Sequence, residues 1–145
     1  MNRLFPVPAL VLVASAALAH SGVTNPAVMA RMDAMSGIGD QMKALTAMAR
    51  GEVAFDAAKV AAGMEAIAAA GAEIPALFEA PESDPESEAA AAIWVSYPEF
   101  TSRAAAMVDA ARASAGVADE FDLEEAIQRV GVTCKSCHDS FRLKR

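Results

Sequence analysis

Apolar side chains recur at intervals of three and four residues along most of this chain, and that spacing predicts helices rather than strands. The clearest run extends from about Pro26 to Arg50, where Thr24 or Asn25 is expected to cap the helix and Gly51 to end it. Because its apolar positions share one helix face, this segment is expected to pack inside a bundle. The apolar stripe comprises Val28, Met32, Met35, Ile38 or Gly39, Met42, Leu45 and Ala49.

Three further segments carry the same helical pattern. The second is expected over about Asp56–Ala70 with Gly71 as its stop, the third over about Ala89–Ala115 with an interruption at Pro98, and the fourth from Asp122 toward Arg142. At the start of the fourth segment, Asp122 and Glu125 resemble a capping box.

The chain has 145 residues, enough for one domain, and 36 of them are alanine, which favours helix over sheet. One long acidic and proline-rich linker, Ala72–Glu88, is expected to pack Ile74, Leu77 and Phe78 against the helices. Four helical segments with otherwise short loops predict an all-α fold, an antiparallel four-helix bundle. Alanine-rich helices bury little area, so such a bundle is expected to gain stability from a large group at its centre.

The N-terminus has the pattern of a secretory signal peptide. Arg3 is followed by the uncharged apolar run Leu4–Ala14 and by the A-x-A sequence Ala17-Leu18-Ala19. We expect residues 1–19 to be cleaved, which leaves a single domain over residues 20–145 that is exported to the periplasm and free of the membrane. An uncleaved N-terminal membrane anchor is the alternative interpretation.

The charge balance argues against one class of partner. The chain has 12 Lys and Arg against 19 Asp and Glu, a net charge of −7. Loss of Arg3 with the leader leaves 11 basic residues against 19 acidic ones, or −8. Because a phosphate backbone attracts positive charge, nucleic acid is not an expected partner.

The residues with the most distinctive chemistry lie near the C-terminus, in the sequence Cys134-Lys135-Ser136-Cys137-His138. A C-x-x-C-H sequence is the motif for covalent haem attachment. Residues three apart share a helix face, so both thiols can form thioether bonds to one haem while the His138 imidazole binds its iron from the proximal side. Export fits this interpretation, because haem c is attached outside the bacterial cytoplasm.

Three other uses of the two cysteines are open at this point. A zinc site would need four ligands, and the chain has two Cys and two His, one of them His20 at the predicted mature N-terminus. A thioredoxin-like C-x-x-C would need a βαβ unit, and the sequence predicts no strands. A disulfide between Cys134 and Cys137 would be an ordinary use of two cysteines in an exported chain.

Several strings along the chain resemble the class II c-type cytochromes, the cytochrome c′ family. They are Val28–Arg31, Arg50–Glu52 with Phe55 and Asp56, Ile93-Trp94 with Phe100, and Val130–Arg142, which includes the haem motif. The position of the motif near the C-terminus is the most specific element, since the ordinary small cytochromes c carry it early. The resemblance implies a four-helix bundle with one covalent haem between the helices, and often a homodimer.

The resemblance also implies a candidate for the second axial ligand of the iron. In the low-spin branch, the cytochrome c-556 type, a Met of the first helix binds the iron, and Met35 corresponds to it when counted from the Gly51-Glu52 turn. Arg31, one turn earlier, corresponds to an Arg near the haem edge. Met35 also shares the apolar stripe of its helix, where core packing is its other interpretation. The alternative ligands are Met32, Met42 and His20.

Two functions follow from the two coordination states. With Met35 bound, the iron has no free position, which predicts an electron carrier acting with redox partner proteins. With that position open, the protein would bind gases such as nitric oxide or carbon monoxide. No nucleophile–base pair, carboxylate pair or phosphate loop is apparent, so no enzyme activity is expected. Trp94 and Phe141 are expected beside the haem, Arg142 is a candidate partner for a haem propionate, and the acidic linker is a candidate docking surface for a basic partner.

Overall fold

The computed structural model describes residues 22–144 as a bundle of four long helices with one short helical turn. The helices are α1 (Pro26–Ala49), α2 (Ala57–Leu77), α3 (Ala92–Val95), α4 (Tyr97–Ala113) and α5 (Glu120–Phe141). The helix α1 packs on α2 and α5, and α4 packs on the same two helices, so the long helices enclose a common interior. This confirms the predicted all-α four-helix bundle. The predicted leader over residues 1–19 and His20 lie outside the described residues.

The start of α1 follows the predicted capping pattern. The side-chain oxygen Oδ1 of Asn25 accepts hydrogen bonds from the backbone N–H groups of Ala27, at 2.9 Å, and Val28, at 3.2 Å. Pro26 occupies the first helical position, where a backbone N–H group would have no hydrogen-bond partner within the helix. At the other end Gly51 adopts φ +69°, a left-handed conformation that suits glycine and ends the helix as predicted.

The prediction that Gly71 ends the second helix is wrong, because α2 continues to Leu77. A Cβ atom at Gly71 would lie 2.7 Å from Met107 Cε and 2.9 Å from Val108 Cγ2, both on α4. Glycine is therefore required here for the close approach of two helices rather than for a turn. The residues from Ala72 to Leu77, predicted as linker, form the last turns of α2, and Pro75 lies within them.

The third and fourth predicted helices begin and end differently from the prediction. The expected interruption near Pro98 is confirmed, since α3 ends before Ser96 and Pro98 lies in the first turn of α4. The helix α5 begins at Glu120, and its cap is Asp119, whose carboxylate accepts a hydrogen bond from the Asp122 N–H at 2.9 Å. The predicted capping pair at Asp122 is therefore wrong. The helix α4 ends at Ala113, two residues before the predicted boundary.

Within residues 22–144, α2 is the one helix long and apolar enough to cross a membrane by length and composition. Its apolar face is part of the bundle core, where Val60, Met64 and Ile67 have no exposed surface. The composition of α2 is therefore that of a central helix in this bundle.

The linker between α2 and α3 is fastened to the start of α1 by Asp84, whose side chain is buried. Its Oδ2 accepts hydrogen bonds from the N–H groups of Thr24, at 2.9 Å, and Asn25, at 3.1 Å, and its Oδ1 accepts one from the Glu86 N–H at 3.0 Å. These backbone donors, the Glu86 N–H first among them, lower the pKa of Asp84 from 3.8 to about 2.

We expect the variant Asp84→Asn to be less stable than the wild type at neutral pH, because an amide group replaces one accepting oxygen with a donor. The lowered pKa means that the carboxylate stabilises the fold above about pH 4 and that this contribution is lost as the pH falls toward 2. Urea unfolding at about pH 7, 4 and 2.5 should show the difference between the two proteins shrinking as the pH falls. Glu79→Gln, an exposed acid of the same linker, is the control, and a pH-independent difference would contradict this role of Asp84.

Candidate functional site

A cavity of about 760 Å³ lies between α1, α4, α5 and the linker. Its volume falls within the ~300–1,000 Å³ typical of cofactor and ligand sites, and its walls are mostly apolar. The wall from α1 includes Val28, Met32, Met35, Ile38 and Met42; that from α4 includes Phe100, Arg103, Ala104 and Met107; and that from α5 includes Cys134, Cys137, His138, Phe141 and Arg142.

The α5 wall carries the C-x-x-C-H motif. Cys137 lies three residues after Cys134, and His138 lies four residues after Cys134 and three before Phe141, so the helix presents all four to the cavity. Both thiols are free and half-buried, which does not support the disulfide alternative. The Cys134 Sγ lies 3.9 Å from the Sδ of Met107 on α4. Among residues 22–144 no three His, Cys, Asp or Glu side chains are grouped as metal ligands would be, so this part of the chain offers no zinc site.

The surroundings of this motif shift the pKa of its two thiols and of its histidine. Burial raises the pKa of both thiols, and for Cys137 the nearby Arg103 partly opposes that shift. His138 lies at the exposed edge of the cavity. Partial desolvation and the positive charge of Arg142 lower its pKa. The imidazole is therefore favoured in its neutral form, which is the form that binds metal ions.

The α1 wall brings a row of methionines to the same cavity. Met35 is half-buried, and Met32 and Met42 line the cavity on either side of it along the helix. The structure thus places Met35 and His138, two residues of the sequence prediction, in one cavity on two different helices. It places the alternatives Met32 and Met42 there as well.

Arg31, another predicted site residue, is hydrogen-bonded to the backbone of neighbouring segments. Arg31, only 3% exposed, donates hydrogen bonds to the carbonyl oxygens of Leu77 at 2.8 Å, Ala80 at 2.6 Å and Glu82 at 2.8 Å. Its guanidinium carbon lies 5.5 Å from the ring centroid of Trp94. Arg31 lines the cavity, but its guanidinium is hydrogen-bonded to the end of α2 and to the linker.

Trp94 lies behind the cavity rather than among its lining residues. Its Nε1 donates a hydrogen bond to the Phe78 carbonyl oxygen at 2.8 Å. Phe141 does line the cavity, and its ring meets that of Phe100 edge-on, with centroids 5.4 Å apart. Of the two aromatic residues that the sequence placed beside the haem, Phe141 faces the cavity directly.

Arg142 closes the edge of the cavity together with the linker. Its guanidinium forms an ion pair with Glu88, with an Nη2–Oε2 distance of 2.5 Å. Backbone hydrogen bonds from Ala90 to the Phe141 carbonyl and from Leu143 to the Glu88 carbonyl tie the same two segments together. The linker is therefore attached to the end of α5, immediately after the haem motif.

Arg103 is a charged cavity residue that sequence reasoning missed. It lies on the inward face of α4, between Phe100 and Met107, where a charged residue interrupts an apolar stripe. That interruption is the signal that was available in the sequence. The Arg103 guanidinium donates hydrogen bonds to Ser136, the residue that precedes Cys137 in the motif.

The fold and this cavity match known proteins over nearly all of the described chain. Residues 26–142 match the protein family described as Cytochrome C′. The chain belongs to the cytochrome c′ family. It is 38% identical over 116 residues to a cytochrome c′ of Pararhodospirillum photometricum, a match that covers 77% of this chain and 92% of that protein.

Two further relatives represent the two named branches of the family. A cytochrome c-556 of Agrobacterium tumefaciens is 36% identical over 113 residues, which cover 77% of this chain and 92% of that one. The solved structure of cytochrome c′ from Rhodopseudomonas palustris superposes with a TM-score of 0.77 at 34% identity, over 84% of this chain and 99% of that one. The chain is accordingly a class II, monohaem c-type cytochrome.

The cavity of this cytochrome fits a covalently bound haem. Two free thiols lie on the same face of α5, an imidazole follows them, and the cavity of about 760 Å³ has mostly apolar walls. Cys134 and Cys137 would form the thioether bonds to such a haem, and His138 would bind its iron.

Proposed function

We propose that this cytochrome is an exported electron carrier whose haem iron is bound by His138 on one side and Met35 on the other. The proposal depends on one observation: the Met35 side chain on α1 and the His138 imidazole on α5 line the same cavity, which Cys134 and Cys137 also line. A thioether and an imidazole are the ligand pair of many electron-transferring c-type cytochromes.

The bound haem supplies a one-electron couple between its ferrous and ferric states. The residues of the chain determine what else can happen in the cavity. A Met35 thioether bound to the iron would take the place at which a small molecule could otherwise bind. The mostly apolar walls of the cavity lower the local dielectric constant and so favour the haem state of lower net charge. The first effect favours electron transfer over ligand chemistry, and the second raises the reduction potential of the haem.

The proposal also includes the location of the protein and the kind of protein it interacts with. The signal-peptide pattern of residues 1–19 and the covalent type of haem attachment both support a periplasmic location. The partners are redox proteins that exchange one electron with the haem, and a second copy of the chain is a further candidate partner. The relatives named cytochrome c′ and cytochrome c-556 both support a haem protein, and neither name indicates an enzyme.

Optical spectra of the purified holoprotein test this proposal. The oxidised, reduced and carbon-monoxide-treated reduced forms are recorded after expression with a haem-maturation system. An electron carrier with two protein ligands should be low-spin in both oxidation states and respond little to carbon monoxide. High-spin bands that shift with carbon monoxide would instead identify the gas-binding alternative, with an open sixth position.

A further inference from the structure

Arg103 joins α4 to the haem-binding segment of α5 through a set of short polar contacts. We propose that Arg103 is a positioning residue that fixes the C-x-x-C-H segment and, by holding a positive charge at the wall of the haem cavity, raises the reduction potential of the haem. This inference rests on the proposed function, since it concerns the same haem and its one-electron couple.

The guanidinium of Arg103 is held by four hydrogen bonds. Its Nη1 donates to the carbonyl oxygen of Ser136 at 2.6 Å and to the Ser136 hydroxyl oxygen at 2.7 Å. Its Nη2 and Nε donate to Glu99 Oε1 at 2.5 Å and 3.2 Å. Because Ser136 lies between the two attachment cysteines, this arrangement holds the segment that bears the haem at a fixed distance from α4. Four of its five N–H groups are thereby used within the protein.

An aromatic contact further restricts the guanidinium. Its carbon lies 5.8 Å from the ring centroid of Phe141, which is 5% exposed and packs edge-on against Phe100. The Arg103 side chain itself is 31% exposed, so its charge is only partly screened by solvent. The charge is thus fixed in place and lies at the apolar wall of the cavity.

The sign of the effect follows from electrostatics. Oxidation adds one positive charge to the haem, so a fixed positive charge nearby disfavours the oxidised state and raises the potential. The Glu99 carboxylate, paired with Arg103, has the opposite effect, but its side chain is 56% exposed and more strongly screened. Removing the charge of Arg103 and removing the charge of Glu99 should therefore shift the potential in opposite directions.

Redox titration followed by optical spectroscopy tests this proposal on three holoprotein variants: Arg103→Gln, Glu99→Gln and the control Arg112→Gln. Arg112 is an exposed residue in the last turn of the same helix and does not line the cavity. At a fixed potential we expect Arg103→Gln to lower the ratio of reduced to oxidised protein at least about threefold, which is ~28 mV at 59 mV per tenfold change. Glu99→Gln should raise the ratio, and Arg112→Gln should leave it unchanged.

If Arg103→Gln and Glu99→Gln shift the reduction potential in the same direction, the proposal is overturned, because loss of the ion pair alone would then explain both results. An Arg103→Gln shift equal to that of Arg112→Gln, or no shift, would overturn it as well. If Arg103→Gln does not fold, Glu99→Gln still retains the Arg103–Ser136 contact. A rise in the reduction potential of Glu99→Gln would then support the proposal, and an unchanged potential would overturn it. The spectrum of each sample reports the axial ligands separately, so an error in the assignment of Met35 would be distinguishable from an error about Arg103.

Discussion

Met35→Ala is expected to retain the covalent haem and to create a site for carbon monoxide on the reduced iron. Alanine has no donor atom, so removing the thioether opens the sixth position while Cys134, Cys137 and His138 are unchanged. When an internal ligand leaves a site open in about 1% of molecules, the apparent affinity for an external ligand is weakened ~100-fold. Carbon monoxide titration of the reduced variant should therefore show an affinity on the order of 100 times that of the wild type.

Met42→Ala and Met32→Ala are the matched controls for this experiment. Each removes the same side chain from the same helix and the same cavity wall. Neither should change the spin state, although each enlarges the cavity and lowers the stability. A low-spin, carbon-monoxide-insensitive Met35→Ala protein would remove Met35 as the ligand. The same spectral change in one of the control variants would transfer the assignment to that residue.

The second large effect is expected when haem attachment is prevented. Serine cannot form a thioether, so Cys137→Ser should impair attachment, and the double variant Cys134→Ser/Cys137→Ser should carry no covalent haem. Haem staining of the denatured proteins measures this directly. Lys135→Ala is the control, because Lys135 lies in the same segment but is directed to solvent, with its side chain 75% exposed. Full covalent haem in the double variant would contradict the assignment of both cysteines.

Loss of the haem should also destabilise the bundle. A cavity of about 760 Å³ at ~24 cal/mol per Å³ would correspond to a cost of about 18 kcal/mol if it were closed and did not collapse. Even about a third of that value is comparable with the total stability of a small domain, ~5–15 kcal/mol. We therefore expect the double variant to lose most of its helical circular dichroism at room temperature. A cooperative thermal transition like that of the holoprotein would show that the helices do not depend on the haem.

The haem segment and the helical pattern were predictable from the sequence because their determinants are local. The motif needs five consecutive residues, and the α1 stripe needs one helix. The placement of Met35 in the cavity followed from that stripe together with the family resemblance. Met32 and Met42 lie in the same cavity, however, and the stripe alone does not distinguish three methionines on one face.

The features that the sequence did not predict depend on partners far along the chain. Gly71 has the appearance of a helix stop, but its role is set by Met107 and Val108 on another helix. Arg103 acts on Ser136, 33 residues later. Backbone carbonyl oxygens, which any residue provides, leave no trace in the sequence. For that reason the burial of Arg31 against three of them was not predicted.

The start of α5 shows a second reason why a feature could not be predicted from the sequence. Five acidic residues occur from Asp119 to Glu125, and two of them, Asp119 and Asp122, are of the type that caps a helix. The choice of Asp119 depends on where the preceding loop leaves α4, which is a property of the packed bundle. Periodicity locates such a helix, but it does not determine the first residue.

The cavity residues of α1 and α5 come from opposite ends of the domain, and this has a consequence for the unfolded chain. Met35 and His138 are roughly 100 residues apart. With both bound to one iron, and the haem itself bonded to α5, the metal acts as a cross-link that closes almost the whole domain into a loop. A cross-link of that span that persisted on unfolding would restrict the unfolded ensemble by about 4–5 kcal/mol in the chain-entropy treatment of disulfides. Any change of oxidation state that weakens the bond between Met35 and the iron would then also lower the free energy of unfolding of the entire domain.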